Sequence, residues 1–262
     1  ISTAIGGAGR SVLVAGEGFI ALEFIETFLA WGLTVHVVAN GDYFGEKRFG
    51  VNGGKIIKEK FERKGVIIHQ RTEISHLNKQ GEVFLKNGDG LTPSIVGAGI
   101  GLLRNTESFG RIKIGAGKGI LTNEFLETSE ENVYAAGDVA EFFDPASGAS
   151  RIIGNWTNSF LQGRAAAFNM LAAAGGEAAK EPFCAVSTYN IVSLGMNLTY
   201  VGYLEDADDF WENLSEDGVL RAFLKDGKVR GATLVNRFSN KAKISKLIEY
   251  GADKNELEKT FS

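Results

Sequence analysis

The segment that most constrains the fold lies near the start of the chain, where an apolar run leads into a glycine-rich turn. The run Ser11–Ala15 (SVLVA) is typical of a strand that is buried on both faces of a parallel sheet. The turn GEGFIA at 16–21 follows it directly, and apolar residues at helical spacing then predict a helix over 20–31. A second apolar run at 34–39 completes a predicted strand–helix–strand unit.

The glycine-rich turn has the residue types that a nucleotide phosphate needs. Gly16 permits a tight turn, Gly18 lets the backbone approach a pyrophosphate, and the small side chain of Ala21 lets helix and strand pack closely. The phosphates would then lie at the helix N-terminus. A plain strand–turn–helix without a ligand is the alternative. The complete strand–helix–strand context favours a dinucleotide site.

The end of the second predicted strand does not show which coenzyme binds. An acidic residue is expected there to bind the ribose hydroxyls of NAD, but Ala39 and Asn40 occupy the position. Asp42 is a candidate substitute from the following turn, and Lys47 with Arg48 would suit the extra phosphate of NADP. These three are also compatible with solvated loop charges. The sequence therefore leaves NAD and NADP open, with Asn40 retained as a candidate contact.

A second glycine series, Gly97, Gly99 and Gly101, follows another apolar run. No helical pattern comes after it. We therefore interpret it as close backbone approach at a strand end rather than as a second phosphate loop, with Gly99 and Gly101 as candidate cofactor contacts.

The remaining patterns predict an α/β chain with a change of character near its end. Three short strands, Ile74–Leu77, Val83–Leu85 and Ile95–Ala98, joined partly by the NGDG turn, interrupt the strand–helix alternation as antiparallel strands. A two-residue hairpin at Asp226-Gly227 marks a carboxy-terminal α+β domain. The predicted helices are 55–64, 157–174 and 241–250, and the predicted strands are 66–69, Ile74–Leu77, Val83–Leu85, Ile95–Ala98, 133–136, 219–224 and 229–235.

Composition excludes several classes of function. The net charge is −4 without a basic block, which argues against a nucleic-acid partner, and no apolar run approaches the roughly 20 residues of a membrane span. Cys184 is the single cysteine, so no disulfide framework or CxxC motif is predicted, and we expect a cytoplasmic protein. His36, His69 and His76 lack metal-ligand spacing, so no metal is expected. The chain begins with Ile1 rather than Met, so we expect it to be a piece of a longer protein.

Several motifs together resemble one flavoprotein superfamily. The segments are VLVAGEGFIALEFIETFLAWGLTVHVV, IVGAGIGLLRNTESF, TSEENVYAAGDVA and IIGNWTNSFLQGRAAAFNML. They resemble the FAD-dependent pyridine nucleotide-disulfide oxidoreductases, and within them the ferredoxin reductase, rubredoxin reductase and apoptosis-inducing-factor-like branch. The resemblance implies a Rossmann-like NAD(P)H domain at 9–108 after a linker at 1–8, the returning part of an FAD domain at 109–178, and an interface domain at 183–262. The first part of the FAD domain has no counterpart.

The resemblance also implies roles for individual residues. Asp138, with Gly137 before it, matches the acid that binds the flavin ribityl chain. Trp156 and Thr157 match the start of a helix that points at the flavin ring. Without the resemblance, the AGD segment at 136–138 is as well explained by a helix cap or turn, and Trp156 by a core or interface aromatic.

Two further residues match positions beside the nicotinamide. Glu23 would anchor the carboxamide and Phe19 would lie near the path of the hydride. Each has a plainer interpretation, Phe19 as helix packing and Glu23 as a polar helix position. Arg104 departs from the resemblance, since proline is usual before the asparagine at 105.

The function implied is that of an FAD-dependent NAD(P)H oxidoreductase. Such an enzyme passes hydride from NAD(P)H to flavin and electrons onward to a small carrier such as a ferredoxin or rubredoxin. The chain alone would bind NAD(P)H, retain little FAD and be inactive. A homodimer is compatible with the resemblance. The alternative function is a nucleotide-binding, redox-sensing interaction module with little turnover.

Overall fold

The computed structural model describes residues 10–145 and 147–261, so the linker predicted at 1–8 lies outside the described residues. The helices are α1 (Phe19–Ala30), α2 (Glu46–Arg63), α3 (Trp156–Ala173), α4 (Lys241–Glu249) and α5 (Lys254–Phe261). The first ten strands are β1 (Ser11–Ala15), β2 (Thr34–Val38), β3 (Ile67–His69), β4 (Ile74–Leu77), β5 (Val83–Leu85), β6 (Gly90–Leu91), β7 (Ile95–Ala98), β8 (Ile120–Thr122), β9 (Ala140–Asp144) and β10 (Ala149–Arg151). The last five are β11 (Thr188–Ser193), β12 (Met196–Gly202), β13 (Asp209–Leu214), β14 (Val219–Lys225) and β15 (Lys228–Val235).

The first part of the chain forms the predicted parallel sheet, in the order β3-β2-β1-β7. Its central strand β1 is buried, and Ala15 is paired with Val38 of β2 on one side and Ala98 of β7 on the other. Because these strands are parallel, their carboxyl ends meet at one edge of the sheet. In open α/β sheets, ligands bind at this edge.

Both faces of the parallel sheet are covered, which explains why β1 is apolar throughout. Helices α1 and α2 pack on one face, where Val12, Val14 and Ile25 share a buried cluster. An antiparallel meander covers the other face, as predicted, and Leu13 and Val83 share a buried cluster there. Its third strand is β6, however, and Ile95–Ala98, predicted among the short antiparallel strands, is instead β7, which pairs in parallel with β1. The α/β class with antiparallel additions is confirmed.

Helix α2 begins nine residues before the helix predicted at 55–64, because glycines at 50, 53 and 54 weaken the sequence signal. Its axis is interrupted at Gly50, whose φ of 68° and ψ of 178° are not helical. The glycines lie where the helix meets other elements. A Cβ at Gly53 would be 3.3 Å from Val235, and one at Gly54 would be 3.0 Å from the ring of Tyr43.

The strand predicted at 133–136 is wrong. Tyr134 forms one isolated bridge with Glu127, and the chain then turns at Gly137, whose φ is 82°. A strand requires a run of consecutive paired residues, whereas the two backbone hydrogen bonds here, from Thr128 N–H to the Val133 carbonyl and from Ala135 N–H to the Leu126 carbonyl, form a single bridge. The sheet of this region is instead β10-β9-β8, with Pro145 in the connection between β9 and β10.

The carboxy-terminal region contains the five-stranded antiparallel sheet β11-β12-β15-β14-β13. The predicted hairpin turn is present, and Asp226 and Gly227 have the positive φ values (51° and 72°) that a type I′ turn requires. One face of this sheet packs on α4 and α5. The other contributes Tyr200 and Val235 to the cluster that contains α1 and α2, so the region shares a core with the parallel sheet. The predicted domain boundaries stay predictions.

In the ranges 10–145 and 147–261, the helices are either too short or too polar to cross a lipid bilayer.

Candidate nucleotide-binding site

The glycine-rich turn joins β1 to α1 at the carboxyl edge of the parallel sheet. Gly16 has a φ of 113°, and a Cβ there would lie 2.7 Å from the carbonyl carbon of Gly99. A Cβ at Gly99 would in turn lie 2.8 Å from the backbone nitrogen of Ala21. The turn and the end of β7 therefore touch through their backbones. Close backbone approach was predicted at this strand end, but the sequence did not indicate that the glycine-rich turn is the partner. Gly101 does not share this contact, because a Cβ there would meet nothing within 4 Å.

The N-terminus of α1 has the properties of an anion site. Gly18 is the N-cap residue, with extended φ and ψ, and no side chain caps the helix. The first turn also contains no acidic residue. The partial positive charge of the helix end is therefore not neutralised within the helix, which suits a phosphate at this point.

Arg48 brings a cationic side chain to the same turn. Its Nη1 atom lies 3.5 Å from the position where Gly18 would carry a Cβ. Arg48 also interacts with the buried hydroxyl of Tyr200, whose pKa burial raises well above its ordinary value while Arg48 opposes that shift. The sequence offered Arg48 only as one choice for an extra phosphate. The contact with Gly18 depends on the position of α2.

At the end of β2, the structure places Ala39 in the core and Asn40 at the surface. Asp42 is paired with Arg71, whose Nη2 donates to Oδ2 at 3.0 Å. The Arg71 guanidinium lowers the pKa of Asp42. Lys47 lies 3.6 Å from Glu205 in an exposed ion pair. Asp42 and Lys47 therefore pair with Arg71 and Glu205 rather than with the glycine-rich turn.

Glu17, inside the turn, is the functional candidate that sequence reasoning missed. Burial raises the pKa of its carboxyl, while the backbone N–H groups of Gly45 and Asn40 and the charge of Arg48 act to lower it. Its Oε1 atom is buried and has no hydrogen-bond partner among the described residues. The sequence feature that could have identified Glu17 is its position between Gly16 and Gly18, where the turn does not require a side chain and a carboxylate therefore stands out.

Phe19 and Glu23 lie at the junction of α1 with the carboxy-terminal sheet. The ring of Phe19 is 4.2 Å from that of Tyr189 and 4.3 Å from that of Tyr200, measured between centroids. Glu23 is exposed and adds to the burial that raises the pKa of Tyr189. Phe19 therefore packs against other aromatic rings, as the plainer interpretation predicted. The nicotinamide roles of both residues stay predictions.

The second predicted group of site residues assembles where α3 begins. The Ser159 hydroxyl donates to Oδ1 of Asp138 at 3.2 Å, and Arg104 Nε donates to the Asp138 carbonyl at 2.6 Å. Gly137 donates its backbone N–H to the buried Gln162 at 2.7 Å. Arg104, which departs from the resemblance, therefore helps to hold the Asp138 backbone.

Trp156 and Thr157 form the first turn of α3, which Asn155 caps by accepting from the Asn158 amide at 2.8 Å. The Trp156 side chain is 88% exposed, so it is not a core aromatic, and the interface interpretation stays a prediction.

Comparison with known proteins shows the family. The family described as Pyridine nucleotide-disulphide oxidoreductase matches residues 3–163. The chain is 25% identical to the NADH-rubredoxin oxidoreductase of Clostridium acetobutylicum over 92% of its own length and 58% of that protein. It is 29% identical to human apoptosis-inducing factor 3 over 77% of its length and 33% of that protein. The chain thus spans little more than half of the first of these relatives.

The fold is also that of solved structures. A ferredoxin reductase from Rhodopseudomonas palustris superposes with a TM-score of 0.79 at 23% identity, covering 97% of this chain and 65% of that one. The likeness extends over all the regions described above, including the carboxy-terminal sheet.

Proposed function

Because the chain belongs to the pyridine nucleotide-disulphide oxidoreductase family, we propose that it is the larger part of an FAD-dependent NAD(P)H oxidoreductase. The observation that carries this proposal is the uncapped N-terminus of α1 beside the Gly16–Gly99 backbone contact. That arrangement admits a dinucleotide pyrophosphate to the carboxyl edge of a parallel sheet.

The residues near α3 fit the ribityl side of a flavin. Gly137 has a positive φ, and Asp138 presents a carboxylate at the start of the same short turn. The N-terminus of α3 adds a partial positive charge. When bound, the two cofactors supply hydride transfer from the nicotinamide ring to the flavin ring. The protein holds and orients them.

Within the chain, each group has a separate task in this proposal. The N-terminus of α1 and Arg48 orient the nucleotide phosphates, and Glu23 and Phe19 position the nicotinamide ring. Asp138 accepts from the flavin ribityl hydroxyls, and the first turn of α3, with Trp156 and Thr157, faces the flavin ring. No acid–base residue is required for hydride transfer, so positioning and exclusion of water are the contributions of the protein.

The electron acceptor proposed is a small carrier protein of the rubredoxin or ferredoxin type. Support comes from the relative named as an NADH-rubredoxin oxidoreductase. The carboxy-terminal sheet is the proposed contact of a homodimer, in line with the interface domain implied by the resemblance.

Two measurements test the proposal. For the 262-residue chain, titration with NADH is expected to shift the coenzyme fluorescence saturably, whereas added FAD is expected to leave the protein colourless after desalting. For the full-length gene product, flavin absorbance should be present and should bleach on addition of NADH or NADPH. A colourless full-length protein would falsify the flavoenzyme assignment. Bleaching followed by slow turnover with every carrier would favour the interaction module instead.

A further inference from the structure

We propose that Glu17, in the glycine-rich turn itself, binds the adenosine ribose hydroxyls and selects NAD(H) over NADP(H). The inference rests on the proposed function, because it assumes that a dinucleotide occupies the carboxyl edge of the parallel sheet. It places the selecting acid on the first strand–helix connection rather than at the end of the second strand.

The sheet register brings Glu17 to the end of β2. Ala15 is paired with Val38, so Glu17 and Asn40 each lie two residues beyond a matched pair at the same edge. The backbone N–H groups of Asn40 and Gly45 act on the Glu17 carboxyl. A Cβ at Gly45 would lie 3.7 Å from the backbone oxygen of Glu17, so the two segments are in close contact. The carboxyl group thus lies where this fold binds a ribose.

The hydrogen-bonding state of Glu17 indicates the missing ligand group. Its Oε1 atom is buried without a partner among the described residues, and a buried carboxylate oxygen without a donor is unfavourable. Ribose hydroxyls are donors and would satisfy this atom once the Glu17 side chain rotates to present it to the nucleotide. The 2′-phosphate of NADP is an acceptor and an anion, so it would meet a carboxylate at the same place.

The other acidic groups of the loop after β2 are already engaged. Asp42 is held by Arg71. Glu46 Oε2 accepts from the backbone N–H groups of Asp42 at 3.1 Å and Tyr43 at 3.3 Å. Glu17 therefore has the carboxylate oxygen that is buried and unpartnered in this part of the described chain.

Arg48 explains how the selection would reverse. Its guanidinium lies at Gly18 and acts on the Glu17 carboxyl. When Glu17 is ionised, its negative charge and the positive charge of Arg48 offset each other. If the charge of Glu17 is removed, Arg48 and the Asn40 and Gly45 amides become an anion site that suits a 2′-phosphate.

The test is titration of the 262-residue chain with NAD⁺ and NADP⁺, followed by ligand-observed NMR. For the wild-type chain we expect NAD⁺ to bind at least about tenfold more tightly than NADP⁺, the effect of one charged hydrogen bond. In Glu17→Gln, NAD⁺ binding should weaken by about tenfold or more while NADP⁺ binding holds or improves. Asp42→Asn removes the rival acid and should keep the NAD⁺ preference. Glu62→Gln, at an exposed residue of α2, is the matched control.

A second measurement does not depend on a variant. Burial raises the pKa of Glu17, and the charge of the nearby Glu46 raises it further. The backbone N–H groups of Gly45 and Asn40 and the charge of Arg48 act in the opposite direction. NAD⁺ binding by the wild-type chain should therefore weaken as the pH falls through the raised pKa of Glu17. Glu17→Gln, checked for folding by circular dichroism, should lose this dependence.

The outcomes separate the two proposals. Equal binding of NAD⁺ and NADP⁺ by the wild-type chain, an unchanged preference in Glu17→Gln, or loss of the preference in Asp42→Asn overturns the role of Glu17 and leaves the proposed function standing. Failure of the wild-type chain to bind either dinucleotide overturns both. If Glu17→Gln does not fold, a pH-independent NAD⁺ affinity in the wild-type chain overturns the role of Glu17.

Discussion

His36 Nδ1 lies 3.0 Å from His69 Nε2, across the neighbouring parallel strands β2 and β3. The two rings stack with 5.3 Å between their centroids. Burial lowers the pKa of both histidines. The partner ring lowers that of His36 further, whereas Asp89 partly offsets the effect at His69. The pair is therefore held neutral at neutral pH.

This pair makes the stability of the chain pH-dependent. Unfolded histidine titrates near its ordinary pKa, so below that value the unfolded chain binds more protons than the folded one. The histidine pair should therefore make its complete contribution to the free energy of unfolding above about pH 7. The free energy of unfolding should decrease as the pH falls through about 6.5. Urea unfolding between pH 8 and 5.5 measures this slope. Replacing His36 and His69 together by Gln should flatten it, and a slope unchanged in the double variant would contradict the assignment. His76→Gln, at an exposed histidine outside the pair, is the control and should keep the slope.

Gly99→Ala is expected to impair nucleotide binding. The added methyl group would lie 2.8 Å from the backbone nitrogen of Ala21, so the glycine-rich turn must move away from β7. Because dinucleotide binding requires the turn to hold its shape, the NADH dissociation constant should rise by about tenfold or more. Fluorescence titration measures it.

Gly163→Ala is the matched control for this substitution. Gly163 lies within α3, and a Cβ there would meet nothing within 4 Å. This variant should bind NADH normally and gain about 0.5–1 kcal/mol of stability from helix propensity. Normal NADH affinity in Gly99→Ala would contradict the proposed site.

Gly50→Ala tests the contact between α2 and the carboxy-terminal sheet. Gly50 has a φ of 68°, and a Cβ there would lie 2.6 Å from Nη1 of Arg221, which is paired with Glu212. Asn52 donates to the same Glu212 at 2.8 Å. The substitution should therefore destabilise the chain through both backbone strain and a steric clash.

Gly65→Ala is the control for a positive φ without a steric contact. Gly65 has a similar φ of 76°, but a Cβ there would meet nothing within 4 Å. It should cost about 1–2 kcal/mol from strain alone. Gly50→Ala should cost about 1–3 kcal/mol more, because its ψ of 178° is a conformation that only glycine adopts readily and because its Cβ meets Arg221. Urea unfolding midpoints measure both. Equal losses of stability in the two variants would mean that side chains of the carboxy-terminal sheet do not clash with a Cβ at residue 50.

Asn155→Ala should weaken the start of α3. The Asn155 side chain caps the helix and also accepts from the Ser187 hydroxyl at 2.9 Å, which ties α3 to the segment before β11. Loss of the cap should cost about 1 kcal/mol of unfolding free energy. Gln80→Ala, in an exposed turn, is the control. A loss no larger than that of the control would show that the cap contributes nothing.

Elements that depend only on residues close together in the chain could be predicted from the sequence. The turn between β1 and α1 and the hairpin at Asp226-Gly227 depend on a few adjacent residues, and both form as expected. The segment 133–136 has an apolar pattern typical of a strand, but a strand also needs a partner along its length. Partners are distant in sequence, so the pattern could not show that Tyr134 would pair at one position.

The candidate site divides in the same way. By itself, the sequence determined that a strand, a glycine-rich turn and a helix would leave an uncapped helix end for a phosphate, since glycine conformations and helical periodicity act over a few residues. Only the tertiary structure decided that Glu17 reaches the end of β2, that Asp42 is held by Arg71, and that Arg48 lies against Gly18. These relationships depend on which strands are neighbours and on where α2 packs. Burial and charge then act between groups that the chain separates by 20 or more residues.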